Sequence, residues 1–216
     1  MLQPIIKADK KELLFWLAIA VLITLKIYEG DQSFFERHFS EKFTDSAWLN
    51  WYKWTYHFMS TFILFAIVPI IIIKGFFKNQ LKDYGLQLGD WKFGIKATLA
   101  AFVILIVPVY LSSKNPEHLS FYPLTTLATK SPLYFLSWSF IYLPHYIGWE
   151  LFFRGFIGFE TKNRYGILAG VMLPSILTTL MHIGKPEGET WGALFGGIYL
   201  SLLTFRTNSI LWAPLF

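Results

Sequence analysis

The stretch Pro144–Glu160, PHYIGWELFFRGFIGFE, sets Glu150 and Arg154 in the middle of an apolar, aromatic run long enough to cross a bilayer. A bilayer offers no water to solvate a charge at that depth, so ionisable side chains there face a protein interior or a wet cavity. Such a run folds as a helix packed among other helices, with its charges turned inward. Four residues advance a helix by about 400°, so Tyr146, Glu150 and Arg154 share one face, and the carboxylate can pair with the guanidinium one turn on. Two readings of the pair follow from these residues alone. It is either a structural lock between helices or a functional carboxylate held ionised by its neighbour.

Composition supports a membrane protein. Hydrophobic residues make up 54% of the 216, aromatic ones 19% and charged ones only 15%, with a mean hydropathy of +0.44. A soluble domain carries roughly a quarter charged residues. The absence of cysteine excludes disulfides, thiolate metal ligands and a cysteine nucleophile. The net charge of +5 does not point to nucleic acid, because the lysines are scattered beside apolar spans rather than gathered in a patch. At the N-terminus, basic residues precede an apolar run and no small-residue cleavage site follows Leu25, so the run reads as a retained first span rather than a signal peptide.

The pattern predicts an all-α, polytopic integral membrane helix bundle of about seven spans. Apolar runs fall at 13–28, 56–77, 93–111, 133–159, 166–183 and 191–205, and a seventh begins at Ser209 and is cut at Phe216. Between the first two, Phe34, Phe35, His38, Phe39 and Phe43 recur at helical spacing among charges, as in a helix lying in the headgroup layer. Trp48, Trp51, Tyr52 and Trp54 suit the membrane interface. The segment 112–132 reads as a loop with one short interfacial helix. Ten lysines and arginines fall on the N-terminal side of the spans against six opposite, which favours a cytoplasmic N-terminus. The chain reads as a single integrated membrane domain, with N-terminal helices and the amphipathic segment over 1–83 and the core over 84–216. Gly166 and Gly170 in the fifth span, and Gly192, Gly196 and Gly197 in the sixth, predict close helix approach.

Few other polar residues lie at membrane depth: His145, Ser175, Thr178, Thr179 and His182. By itself His182 reads as an interfacial residue, a helix cap, a proton acceptor or a metal ligand. The ordered strings GWELFFRGF, TTLMHIGKP and GGIYLSLLTFRTNSILWAP resemble the core of the CPBP family of CAAX-processing and bacteriocin-processing intramembrane endopeptidases. In that family's EExxxR motif the second Glu matches Glu150 and the Arg matches Arg154, while Trp149 stands in place of the first Glu. In its FxxxH motif the His matches His182, with Thr178 where Phe is usual. TNSILWAP, Thr207 to Pro214, is similar to the entry to the helix bearing the HxxxN motif, which would lie beyond Phe216. DYGLQLGDWKFG resembles the family's amphipathic lead-in. The resemblance covers about 84–216.

What the resemblance implies is an integral protein of the bacterial inner membrane that hydrolyses a peptide bond by activated water, without a covalent intermediate. Glu150, Arg154 and His182 would be the catalytic set, and the partners would be the bilayer and a peptide or protein substrate, lipid-modified or not. Participation of a divalent metal ion stays open, since no HExxH helix or comparable ligand cluster occurs. The other reading is a catalytically silent relative, a membrane adaptor or bacteriocin-immunity-type protein. A small transporter would show two related halves, and no internal symmetry is seen. Outside the motifs, His145 is the auxiliary candidate. It sits one turn before Trp149, about 40° away on the helix, where a family carboxylate would project. Its alternative is a hydrogen bond to a carbonyl freed by Pro144. Glu150 and His182 are expected to share a cavity, although counting from the inner ends of their spans places them about 14 and 24 Å deep, so that tilt or a break near Pro174 would have to close the gap.

Overall fold

The computed structural model describes residues 9–213. The protein is a helical membrane bundle, with no β-strand among the described residues. Its helices are α1 (Lys10–Tyr28), α2 (Gln32–Phe39), α3 (Ser46–Phe77), α4 (Trp91–Ser112), α5 (Pro116–Phe121), α6 (residues 132–165), α7 (Ile167–Leu180) and α8 (Glu187–Thr207). Short polar residues start most of them. The side chains of Asp9, Asp31, Asp45, Asp90, Asn115 and Ser131 each accept a backbone N–H of the helix that follows, satisfying donors the first turn leaves without a partner.

By length and composition, α3 (32 residues) and α4 (22 residues) can cross a membrane, and the pair Lys10–Tyr28 and Gln32–Lys42, bent by 47°, adds a third if read as one broken span. α7 is apolar but has only 14 residues. The expected seven spans therefore exceed those that pass on length and hydropathy, because α6 and α8 carry too many polar or buried-charge positions and α7 is short. The seventh is not seen to start at Ser209. Asn208 takes a left-handed conformation (φ 55°) that ends α8, and residues 209–213 form a turn, with the rest of that expected span outside the described residues.

At the centre lies the middle of α6. Helix winding is α from Pro132 to Glu150, π from Leu151 to Phe159 and α again from Glu160 to Tyr165. Every residue of the π stretch is buried, as expected of a helix apolar on all sides. Phe152 stacks on Phe65 of α3 with ring centroids 4.2 Å apart, and Phe156 meets Phe15 of α1 edge-on at 5.4 Å. One hydrophobic core thus joins the N-terminal helices to α6 and to Ile210 after α8. The helix runs unbroken through Pro144. α6 also continues six residues past the expected end at Phe159, so the turn to α7 is Gly166 alone rather than TKNRY.

Close approach is concentrated at a few glycines. A Cβ on Gly148 would lie 2.9 Å from the Thr61 carbonyl oxygen, and one on Gly197 would lie 3.1 Å from Ser175. Gly166, Gly192 and Gly196 have nothing within 4 Å of such a Cβ. The small residues of α8 are therefore only partly a packing seam, since Gly192 and Gly196 face a cavity instead. The lead-in before α4 is pinned by the chain after α8. Ile210 N donates to Gly85 O at 2.9 Å, and Trp212 Nε1 to Leu88 O at 3.0 Å. Gly89 is required there: at φ +57° its missing Cβ leaves room for the Thr207 carbonyl, only 1.9 Å from where that atom would stand.

Candidate functional site

A cavity of about 970 Å³ opens between the helices, and Glu150, Arg154, His145, Trp149 and His182 all line it. It lies towards one end of the bundle, where α1, α4 and α7 finish and α3 and α8 begin. Glu150 and Arg154 reach it from the point where α6 changes from α to π winding. Such changes re-aim side chains and recur at functional sites. Glu150 Oε1 accepts from Arg154 Nη1 at 3.1 Å, and both side chains are buried. Oε2 of Glu150 and Nε of Arg154 are buried without a hydrogen-bond partner among the described residues. An acceptor of that kind is costly in a dry interior. In a cavity it can take a water or a substrate group.

His182 follows the end of α7. Its Nδ1 lies 2.7 Å from Thr178 O, and a carbonyl oxygen only accepts, so Nδ1 carries the proton and the neutral ring keeps its lone pair on Nε2. The edge of the Trp149 ring meets the imidazole at 5.7 Å. The expected difference in depth disappears because α6 is longer than its apolar run. Glu150 lies fifteen positions before Tyr165 and His182 fifteen after Ile167, so the two are equally far along the chain from the α6–α7 turn. No break at Pro174 is needed, and α7 is continuous through it.

His145 also lines the cavity, but its Nδ1 contacts the Thr61 hydroxyl of α3 at 3.1 Å rather than a carbonyl freed by Pro144. Its ring stacks between His57 and Trp149, with centroids 5.6 Å from each. Further groups on the walls, Tyr146 aside, were not singled out from the sequence. Buried Lys26 donates to Gly30 O at 2.6 Å and His57 O at 3.2 Å, and His57 Nδ1 lies 3.2 Å from Asp31 Oδ2. Lys26 is hard to notice because it resembles a snorkelling residue at a span end. Tyr142 and Tyr146 also line the cavity. Glu189, in the first turn of α8, accepts from Tyr122 Oη at 2.9 Å and from Lys185 Nζ at 2.6 Å, and its Oε1 lies 3.9 Å from His182 Nε2. Burial, with the Glu189 carboxylate beside it, pushes the Tyr122 hydroxyl well above the usual phenol range, so it stays protonated and donates.

The donors do not fit a resident metal. Among the described residues, no three His, Asp or Glu side chains come together as a ligand group, and the candidate carboxylate is already engaged by a guanidinium. No step is assigned to a metal ion.

Residues 130–216 match the family model described as Type II CAAX prenyl endopeptidase Rce1-like, a match that includes Glu150, Arg154 and His182. No curated protein and no solved structure matches the chain.

Proposed function

Taking the chain as a member of the CPBP and CAAX-protease family, we propose that it is an intramembrane endopeptidase that hydrolyses a peptide bond with water held between Glu150 and His182. The observation that carries this reading is the unpartnered Oε2 of buried Glu150, facing a cavity also lined by the imidazole whose Nε2 is free to accept. Oε2 takes one proton from the water as its oxygen attacks the carbonyl carbon, and later gives that proton to the leaving amine nitrogen. Nε2 of His182 accepts a hydrogen bond from the other O–H and turns the water's lone pair towards the carbonyl. Arg154 orients Glu150 and holds it ionised until attack. The substrate is a peptide or protein segment, with or without a lipid, reaching the site from the bilayer. The protein sits in the bacterial inner membrane with its N-terminus cytoplasmic.

A second reading is supported by Trp149. Its indole fills the place of the family's first carboxylate and packs against both His145 and His182, as would suit a silent relative that binds peptides without cutting them. One experiment separates the two. The full-length protein in lipid nanodiscs is incubated with unmodified and prenylated peptides, and the products are read by mass spectrometry. Cleavage by wild type that is lost in Glu150→Gln supports the endopeptidase. Cleavage by Trp149→Glu alone makes the chain a silent relative.

A further inference from the structure

We propose that Glu189 is the positioning residue for His182, a carboxylate set across from Nε2 to hold the charge the ring gains when it accepts a proton. The inference rests on the endopeptidase reading above and extends it to a residue outside the motifs. With Nδ1 committed to Thr178 O, proton uptake can occur only at Nε2. The 3.9 Å gap to Glu189 Oε1 suits a neutral ring, since a lone pair and a carboxylate have no proton to share. Once Nε2 is protonated it becomes a donor, and the same pair becomes an ion pair.

Glu189 is held for this purpose from several sides. Tyr122, from the loop after α5, fixes Oε2, and Lys185, from the turn before α8, fixes Oε1. The helix N-terminus favours an acid in its first turn. Thr190, the next residue, donates its hydroxyl to the His182 carbonyl oxygen at 3.0 Å, tying the backbone of the histidine to the turn that bears the carboxylate. A lysine four residues before a first-turn glutamate would by itself be a surface pair. Here the carboxylate instead lines the cavity and faces the candidate histidine. Trp149, which stands in place of the motif's first Glu, meets the ring edge-on, and Glu189 brings a carboxylate to the same ring from a different helix.

The charged and titratable groups acting on the His182 ring are Glu189, Lys185 and Arg154, with His145 beyond Trp149. Among them Glu189 is the anion within 4 Å of Nε2, while the Glu150 carboxylate lies across the proposed water in the same cavity. In the reaction, one water proton goes through Glu150 to the amine. The other remains on the product carboxylic acid, which releases it to Nε2. The imidazolium, stabilised by Glu189, then returns it to solvent.

The test uses the full chain in nanodiscs with 13C-labelled histidine, the His182 signal being identified by its loss in His182→Gln. In Glu189→Gln the titration midpoint of His182 is expected to fall by about one pH unit, the effect of losing an opposite charge at this range. Glu189→Asp should fall in between, and Glu187→Gln, a loss of the same charge on the same turn, should leave the midpoint in place. If Glu189→Gln does not fold, the smaller downward move in Glu189→Asp carries the test. An unmoved midpoint in the Glu189 variants, or an equal move in Glu187→Gln, overturns the proposal. In parallel, the acid limb of the kcat profile should follow the midpoint with KM unchanged. Absence of cleavage in wild type, with the His182 midpoint still dependent on Glu189, overturns the endopeptidase reading and leaves the pair standing.

Discussion

The two charges on α6 have different dependencies. Replacing Glu150 by Gln keeps the side-chain shape and a hydrogen-bond acceptor for Arg154 while removing the base, so cleavage should be lost with little change in thermal stability. Replacing Arg154 by Ala leaves a buried carboxylate without its only partner among the described residues, a loss of about 3–5 kcal/mol for such a pair, and both stability and activity should fall. Equal melting temperatures for the two variants in detergent would contradict this assignment. His145 shows how a residue's face and its role can separate. Its position near Trp149 follows from helical spacing, whereas its partner, the Thr61 hydroxyl, belongs to another helix and is invisible along the chain. Its Nδ1 is engaged by Thr61 and its ring lies between those of His57 and Trp149 on the cavity wall, contacts that favour a packing role. His145→Ala should therefore lower stability and retain most cleavage in the molecules that stay folded, and loss of cleavage with stability kept would support the auxiliary catalytic role.

At the scale of elements, glycine substitutions test which helix contacts are tight. Gly148→Ala places a methyl against the backbone of α3 at Thr61, and overpacking of this kind costs about 1–3 kcal/mol. Gly196→Ala meets open space and should raise stability by about 0.5–1 kcal/mol, since glycine in a helix interior is unfavourable by that amount. Thermal unfolding of the two variants should shift in opposite directions. The small-residue spacing in α7 and α8 could not distinguish these cases, because a small residue marks either a close helix or a cavity wall. Helix starts were more legible, since Asp, Asn or Ser before six of the eight helices satisfies first-turn N–H groups through the chain's own neighbours.

For the whole molecule, the Lys and Arg distribution predicts which ends of the helices face the cytoplasm. Single cysteines at Lys82, before α4, and at Lys130, before α6, can be placed in a chain that has none of its own. With the N-terminus inside, an impermeant maleimide should label Lys130→Cys in intact cells and Lys82→Cys only after permeabilisation. The reverse pattern would invert the topology, and with it the side on which the cavity opens, because the cavity lies at the end of the bundle that carries Tyr122, His182 and Glu189.

What the sequence determined by itself is whatever depends on near neighbours and on solvent: a helical membrane protein, its apolar runs, the Glu150–Arg154 pair one turn apart, and three ordered strings that all fall within the residues the family model matches, 130–216. These follow from hydropathy, helical period and spacing along one chain. Tertiary structure decided the rest. The full length of α6, which carries it past its apolar run to Tyr165, arises because ETKNRY is held by contacts with α7 rather than by apolarity. The approach of Lys26, His57 and Glu189 to the same cavity joins residues far apart in the chain, and contacts between segments leave no periodic signal in either one.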